Sequence, residues 1–227
     1  MSRPAPAGVF ARLHDAAAPT RARILEHPFV RGLGDGTLAP ERFRYYMGQD
    51  YVFLIQYSRV LALAAARADE PAVAARFADL LTLTLNVEMD LHRRSCERLG
   101  ITPERLEATR PAPTTVAYTN HLRLVAETQD LPGILAAILP CAYGYWEIAA
   151  ALRARSLPEH EAYADWIQMY TSDDYEAMAH WAAALLDRVG DGQPPARQEA
   201  LCDVFMLSQR YEYLFWDMSW RMEEWPI

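Results

Sequence analysis

The sequence predicts an all-α helical bundle, on three observations. Short alternating runs of β-branched residues, the signature of strands, are nearly absent. Ala, Leu, Arg and Glu dominate, and apolar residues recur at three- and four-residue spacing almost throughout. Proline and glycine interrupt this periodicity where helices would start and stop.

The elements follow in order. A first helix covers residues 8–26. The stretch RGLGDGTLAPE (31–41) reads as a Gly-rich turn, and Pro40 fits the first turn of a long helix running to about residue 68. ADEP breaks that helix and restarts another at Pro71, which continues to residue 99. GITPE does the same, with Thr102 as N-cap and Pro103 at the first helical position. Further helices cover 114–128, 132–155, 159–169, 173–189 and 195–223, the last two separated by GDGQPPA. Seven to nine helices with short connections imply antiparallel neighbours.

The 227 residues suffice for one sizeable core or two small domains. Asp and Glu total 30 against 22 Lys and Arg, and the net charge of −8 disfavours a nucleic-acid or anionic-membrane surface. The uncharged stretch between Asp130 and Glu147 is 16 residues, short for a membrane span, and holds Gly133 and Pro140. The N-terminal residues lack the apolar run of a secretory signal, and Cys96, Cys141 and Cys202 show no paired spacing. The expected compartment is the reducing cytoplasm.

Functional signal lies where residues that resist burial interrupt apolar stripes. Asp50 projects from the stripe Phe43, Met47, Leu54, Tyr57, Leu61, with Tyr46 and Phe53 beside it. Glu212 lies among Phe205, Phe215 and Trp216 on the final helix, and Glu88 joins Leu81, Leu85, His92 and Leu99. A buried carboxylate needs a partner or a ligand. Each of Asp50 and Glu212 reads equally as a structural acceptor or a functional group, whereas Glu88 and His92 read as a mutually satisfied i,i+4 pair.

The stretch LPCAYGYWEI (139–148) combines these anomalies. Pro140 frees the carbonyl of Ala136 and should bend the helix near Cys141. Cys141 and Tyr145 share a face, and Gly144 leaves a gap beside them. From these residues alone, Cys141 is either an inert small hydrophobe or a nucleophile.

Seven segments together resemble the TenA-type thiaminase II family, the aminopyrimidine aminohydrolases of thiamin salvage. They are HPFVRGLGDGTL from His27, YYMGQDYVF from Tyr45, EMDLH from Glu88, AYTNHL from Ala117, ILPCAYGYWE from Ile138, WIQMY from Trp166 and YEYLFWDM from Tyr211. They occur in the family's order. The resemblance implies one domain over 1–227 with a haem-oxygenase-like fold, a homotetramer, and no metal or organic cofactor. It implies hydrolysis of 4-amino-5-aminomethyl-2-methylpyrimidine and, more weakly, of thiamin. By position Cys141 falls on the family's nucleophile, Glu212 on its acid/base and Asp50 on the carboxylate that holds the pyrimidine. Tyr118, Tyr145 and Tyr170 match pocket tyrosines, and Tyr57 and Phe53 offer ring faces. Phe53 stands where the family is expected to have Tyr, which bears on substrate preference.

These residue types suit the chemistry. An ionised Asp50 accepts from the exocyclic amine and favours a proton on the adjacent ring nitrogen. The ring then becomes electrophilic enough for Cys141 thiolate to add. Glu212, desolvated among aromatics, should have a raised pKa suited to moving protons. The scheme requires Cys141, Asp50 and Glu212 to share one ring-sized space. Three other readings compete: a metal-dependent oxidase using Glu88, His92, Glu147, Asp50 and Glu212; a haem protein with His14 or His27 as ligand; and a non-catalytic regulatory partner.

Overall fold

The computed structural model describes residues 8–227 and, within them, the side chains at all positions except 87, 88, 90, 91 and 95. It is all-α, with no strand among the described residues. The helices are α1 (Val9–Ala16), α2 (Ala18–Leu25), α3 (Pro28–Asp35), α4 (Pro40–Arg67), α5 (Pro71–Leu83), α6 (Met89–Arg98), α7 (Pro103–Glu107), α8 (Pro113–Thr128), α9 (Leu131–Arg153), α10 (Glu161–Tyr170), α11 (Asp173–Gly190) and α12 (Pro195–Arg221). A π-helical turn (Thr84–Glu88) joins α5 to α6.

Proline starts most of these helices: Pro40, Pro71, Pro103 and Pro195 stand in first turns where the sequence predicts helix starts, and Pro28 and Pro113 do so as well. There the missing N–H would have no intrahelical partner in any case. Polar N-caps add to α7, α9 and α11. Thr102 accepts from the Arg105 N–H (3.4 Å), Asp130 from Gly133 (3.2 Å) and Ser172 from Tyr175 (3.3 Å).

The structure departs from the sequence reading at three points. The first helix divides at Ala17, because Pro19 sits in the first turn of α2 and cannot donate to the preceding turn. The Gly-rich segment is largely helix: α3 runs through Gly32 and Gly34 and ends at Gly36, whose φ of 73° is left-handed. Gly32 and Gly34 serve close packing. A Cβ on Gly34 would lie 2.6 Å from Leu152 Cδ2, and one on Gly32 would lie 3.2 Å from the Leu38 backbone. Finally, the helix expected over 71–99 is interrupted by the π turn.

Helix α9 is the centre of the bundle, packed against α8, α10, α11 and α12. It is 23 residues long and contains an 18-residue window of mean hydropathy 1.4, enough by length and composition to cross a membrane, but 61% of that window is buried in the bundle. The uncharged stretch of the sequence is thus part of a longer core helix. Across α9 lies α4, which also touches α5, α6, α8 and α12. The core between them is rich in rings: Tyr46, Tyr118, Phe205, Phe215 and Trp216 are almost wholly buried. Long helices crossing at this layer carry the polar anomalies of the sequence into one region.

Candidate active site

Asp50 is buried on α4, as its place on the apolar stripe requires. Beside it opens a cavity of ≈ 50 Å³. From α4 come Asp50, Phe53 and Tyr57, from α9 Cys141 and Tyr145, and from α10 Tyr170. These are six of the eight site residues expected from the sequence. Thr84, Tyr175 and Met178 complete the wall toward solvent, where a wider groove (≈ 830 Å³) shares them together with Asp50 and Tyr170.

The cavity wall combines rings with Leu54, Leu61 and Leu80, and the Tyr145 hydroxyl on it is linked to rings behind it. Trp166 Nε1 donates to Tyr46 Oη (3.1 Å), which lies 3.5 Å from the Tyr145 hydroxyl. Tyr145 in turn packs on Tyr170 at 4.9 Å between centroids. Burial, reinforced by Asp50, raises the Tyr46 hydroxyl well above its ordinary pKa. Burial raises Tyr145 likewise, with Tyr46, Asp50, Glu212 and Cys141 adding to it. Both phenols therefore stay protonated and act as hydrogen-bond donors. Phe53 stacks near Tyr57 (5.8 Å, 18°) and Tyr118 (5.1 Å), offering a flat face without a hydroxyl.

Glu212 and Tyr118 lie outside the lining of this cavity. The Tyr118 hydroxyl donates to Glu212 Oε1 at 2.5 Å, and the carboxyl is buried. Burial pushes its pKa up to about 7, opposed by the Tyr118 bond. Glu212 faces a second, smaller void (≈ 10 Å³) lined also by Arg21, Pro140, Gly144, Glu147 and Gln209. The expectation that both acids and the thiol open into one enclosed space is corrected here: Asp50 and Cys141 do, while Glu212 stands behind them. It remains in the same electrostatic neighbourhood, because Tyr118 and Tyr145 each respond to both Glu212 and Cys141.

The role expected of Gly144 changes for the same reason. The gap it leaves belongs to the void beside Glu212, and a Cβ there would meet nothing within 4 Å. Residues 141 and 145 face the cavity, whereas 140, 144 and 147 face the opposite void. Three-to-four-residue spacing separates the two sets onto two faces of α9.

Other sequence candidates find different partners. Glu147 lies 3.4 Å from His14 and 3.2 Å from Arg21, and so braces α9 against α1 and α2. His27 Nδ1 accepts from the Phe29 N–H (3.2 Å) while Nε2 lies 3.7 Å from Asp217. The Cys96 thiol is driven up to about 12 by burial and the charge of Asp50, and burial also raises Cys202. Glu88, read as the partner of His92, has a side chain outside the described residues. Among the described residues no group of three His, Cys, Asp or Glu stands together as a metal site.

Sequence reasoning missed Thr84, Tyr175 and Met178, and it paired His92 with Glu88, grouping it with Asp50 only in the metal-site reading. His92 Nδ1 is 3.6 Å from Asp50 Oδ2, and Nε2 is 2.6 Å from the Met47 carbonyl. Its helical spacing pointed to Glu88, and nothing in the local sequence signals a partner 42 positions upstream on α4. Thr84 opens the π turn, whose register a regular 3.6-residue period does not describe.

A family model described as TENA/THI-4/PQQC matches residues 14–222. An aminopyrimidine aminohydrolase of Halalkalibacterium halodurans is 39% identical over 216 residues, covering 95% of this chain and 96% of its own. The TenA homologue protein from P. horikoshii OT3 superposes with a TM-score of 0.88 at 27% identity, covering 95% of this chain and 99% of that one. Haem oxygenase-1 from Synechocystis sp. PCC6803 superposes with a TM-score of 0.66 at 14% identity, over 93% of this chain and 91% of its own, a likeness of fold alone. The bundle is thus haem-oxygenase-like, as expected.

Proposed function

The chain belongs to the TENA/THI-4/PQQC family, and on that premise we propose that it is an aminopyrimidine aminohydrolase of thiamin salvage. It converts an aminomethyl substituent on a 4-aminopyrimidine to hydroxymethyl, consuming water and releasing ammonia. The observation that carries this reading is the ring-lined cavity shared by the Cys141 thiol and the Asp50 carboxyl. A flat heteroaromatic ring suits walls made of Phe53, Tyr57, Tyr145 and Tyr170, and an aminopyrimidine edge suits a carboxyl at one end.

In the proposed sequence, Asp50 engages the exocyclic amine and the neighbouring ring nitrogen, which takes a proton. Cys141 sulfur bonds to a ring carbon, and the ring loses its aromaticity. The C–N bond of the aminomethyl group then breaks, and the nitrogen leaves as ammonia after protonation. Water adds to the exposed methylene, the C–S bond breaks, and the aromatic ring returns. Covalent addition thus splits one hard displacement into easier steps. Glu212 stands behind this cavity, so it acts through the Tyr118 hydroxyl that bonds it. It takes up the thiol proton, supplies one to the leaving amine, takes one from the attacking water and returns it to the thiolate. Its pKa of about 7 leaves both forms populated near neutrality, which suits a group that must do both. Tyr118 holds this carboxyl in place.

The same reading includes a single domain acting as a cytoplasmic homotetramer without a cofactor. The test is ammonia release from 4-amino-5-aminomethyl-2-methylpyrimidine, run beside thiamin cleavage. Release that requires Cys141 and exceeds thiamin cleavage supports the proposal; no release from the aminopyrimidine refutes it.

A further inference from the structure

Glu212 reaches the thiol through a phenol, so whatever aims that phenol governs the proton transfer. Tyr118 is buried on α8, and its hydroxyl donates to Glu212 Oε1 at 2.5 Å. It also lies close enough to Cys141 for the thiolate charge to act on it. A tyrosine ring turns about two side-chain bonds, and a hydrogen bond weakens steeply once its donor leaves line. Two rings from other helices lie against Tyr118. Phe53 of α4 is 5.1 Å away between centroids, and Tyr211 of α12 is 5.3 Å away with the two planes 12° apart. Phe53 belongs to the cavity wall, whereas Tyr211 has no part in it.

Tyr211 is itself held. The His121 imidazole lies 5.5 Å from its ring, and His121 follows Tyr118 by one turn of α8. The Tyr211 ring is thus in contact with two α8 side chains at i,i+3 spacing, which are neighbours on one face. His121 Nε2 lies 2.9 Å from Ser208 Oγ, which returns the contact to α12 about one turn before Tyr211 and Glu212. Tyr211 and Glu212 are consecutive, about 100° apart around their helix. One meets the Tyr118 ring and the other its hydroxyl, so adjacent residues of α12 grip both parts of a single phenol.

We propose that Tyr211 is a positioning residue, whose ring, braced by His121 and Ser208, holds the Tyr118 phenol on Glu212 for the passage of protons to and from Cys141. This rests on the reading of Glu212 as the acid/base group. Tyr211 makes and breaks no bond. The thiol proton passes to the phenol oxygen as the phenol proton passes to the carboxylate, and the reverse transfer restores both.

The Tyr118 bond opposes the rise that burial imposes on the Glu212 carboxyl, whose pKa is about 7. Loosening the phenol removes that opposition, so the carboxyl should titrate higher. The titratable and charged groups around the pair are Tyr57 on α4, Cys141, Tyr145 and Glu147 on α9, Arg21 on α2, and His121 on α8, whose pKa burial lowers. Replacing Tyr211 by an uncharged residue adds no charge among them.

Tyr211→Met fills the space of the ring with a flexible chain, and Tyr211→Leu carries the same test should Tyr211→Met not fold. Tyr211→Phe keeps the ring. With the intact protein and the aminopyrimidine as substrate, kcat should fall roughly tenfold or more in Tyr211→Met and stay within about twofold of wild type in Tyr211→Phe. In ligand-free protein carrying ¹³C-carboxyl glutamate, the Glu212 resonance is identified by its loss in Glu212→Gln. It should titrate about one pH unit higher in Tyr211→Met, the size of a weakened bond to a charged acceptor, and at the wild-type midpoint in Tyr211→Phe. A merely structural role would lower activity without moving that midpoint. Wild-type kcat without the ring, an equal loss in Tyr211→Phe, or an unmoved midpoint overturns the proposal. Failure of the underlying reading looks different: Glu212→Gln itself would then turn over normally.

Discussion

Replacing Glu212 by Gln exposes how much the buried carboxyl opposes folding. Burial raises its pKa from 4.5 to about 7. At about 1.36 kcal/mol per unit, the folded state favours the protonated carboxyl over the ionised one by about 3 kcal/mol more than the unfolded chain does. The sign follows from proton counts. Between pH 4.5 and about 7 the folded chain binds more protons than the unfolded chain, so stability falls as pH rises through this window. Gln cannot titrate, and its amide oxygen still accepts from Tyr118. The stability of Glu212→Gln relative to wild type should therefore increase by about 2.5 kcal/mol between pH 5 and pH 8. Any fixed cost of burying the amide N–H groups, about 1–3 kcal/mol, cancels from this difference. Urea unfolding at both pH values and equal protein concentration measures it. A difference below about 1 kcal/mol between the two pH values would show that the carboxyl is not desolvated as argued. The same variant should release no ammonia, and retained turnover would remove Glu212 from the mechanism.

Other substitutions address the cavity itself. Cys141→Ser should abolish ammonia release with an unchanged melting curve, because a hydroxyl is a far weaker nucleophile at neutral pH; normal turnover would refute covalent addition through this residue. Asp50→Asn should raise KM for the aminopyrimidine by about 10- to 100-fold, the value of a charge-assisted hydrogen bond of about 1.5–3 kcal/mol. An unchanged KM would mean Asp50 does not hold the substrate. Phe53→Tyr places a hydroxyl where the family is expected to carry one and should shift the ratio of aminopyrimidine to thiamin turnover while preserving the reaction; an unchanged ratio would remove Phe53 as a determinant of preference. Gly144→Ala should stabilise the chain by about 0.5–1 kcal/mol through helix propensity, with turnover preserved, since a Cβ there meets open space. Loss of activity would return Gly144 to the substrate slot.

The sequence by itself determined the helices and the residues that do not belong in a helix core. Proline in first turns, the Thr102 cap and 3.6-residue periodicity are local effects, so the starts at Pro40, Pro71, Pro103 and Pro195 were legible from neighbours alone. So was the anomaly of Asp50, Cys141 and Glu212 on apolar stripes, because burial of a polar group is improbable without a purpose that packing or chemistry supplies. The π turn and the helical path through Gly32 and Gly34 were not legible, since they answer to Leu38, Leu152 and other residues distant along the chain. Only the tertiary structure decided which acid shares a cavity with the thiol. Periodicity states which residues lie on one face of one helix, but which faces meet depends on how helices cross. That crossing sets Cys141 toward Asp50, turns Gly144 toward Glu212, and brings His92 to a carboxyl that no spacing rule connects to it.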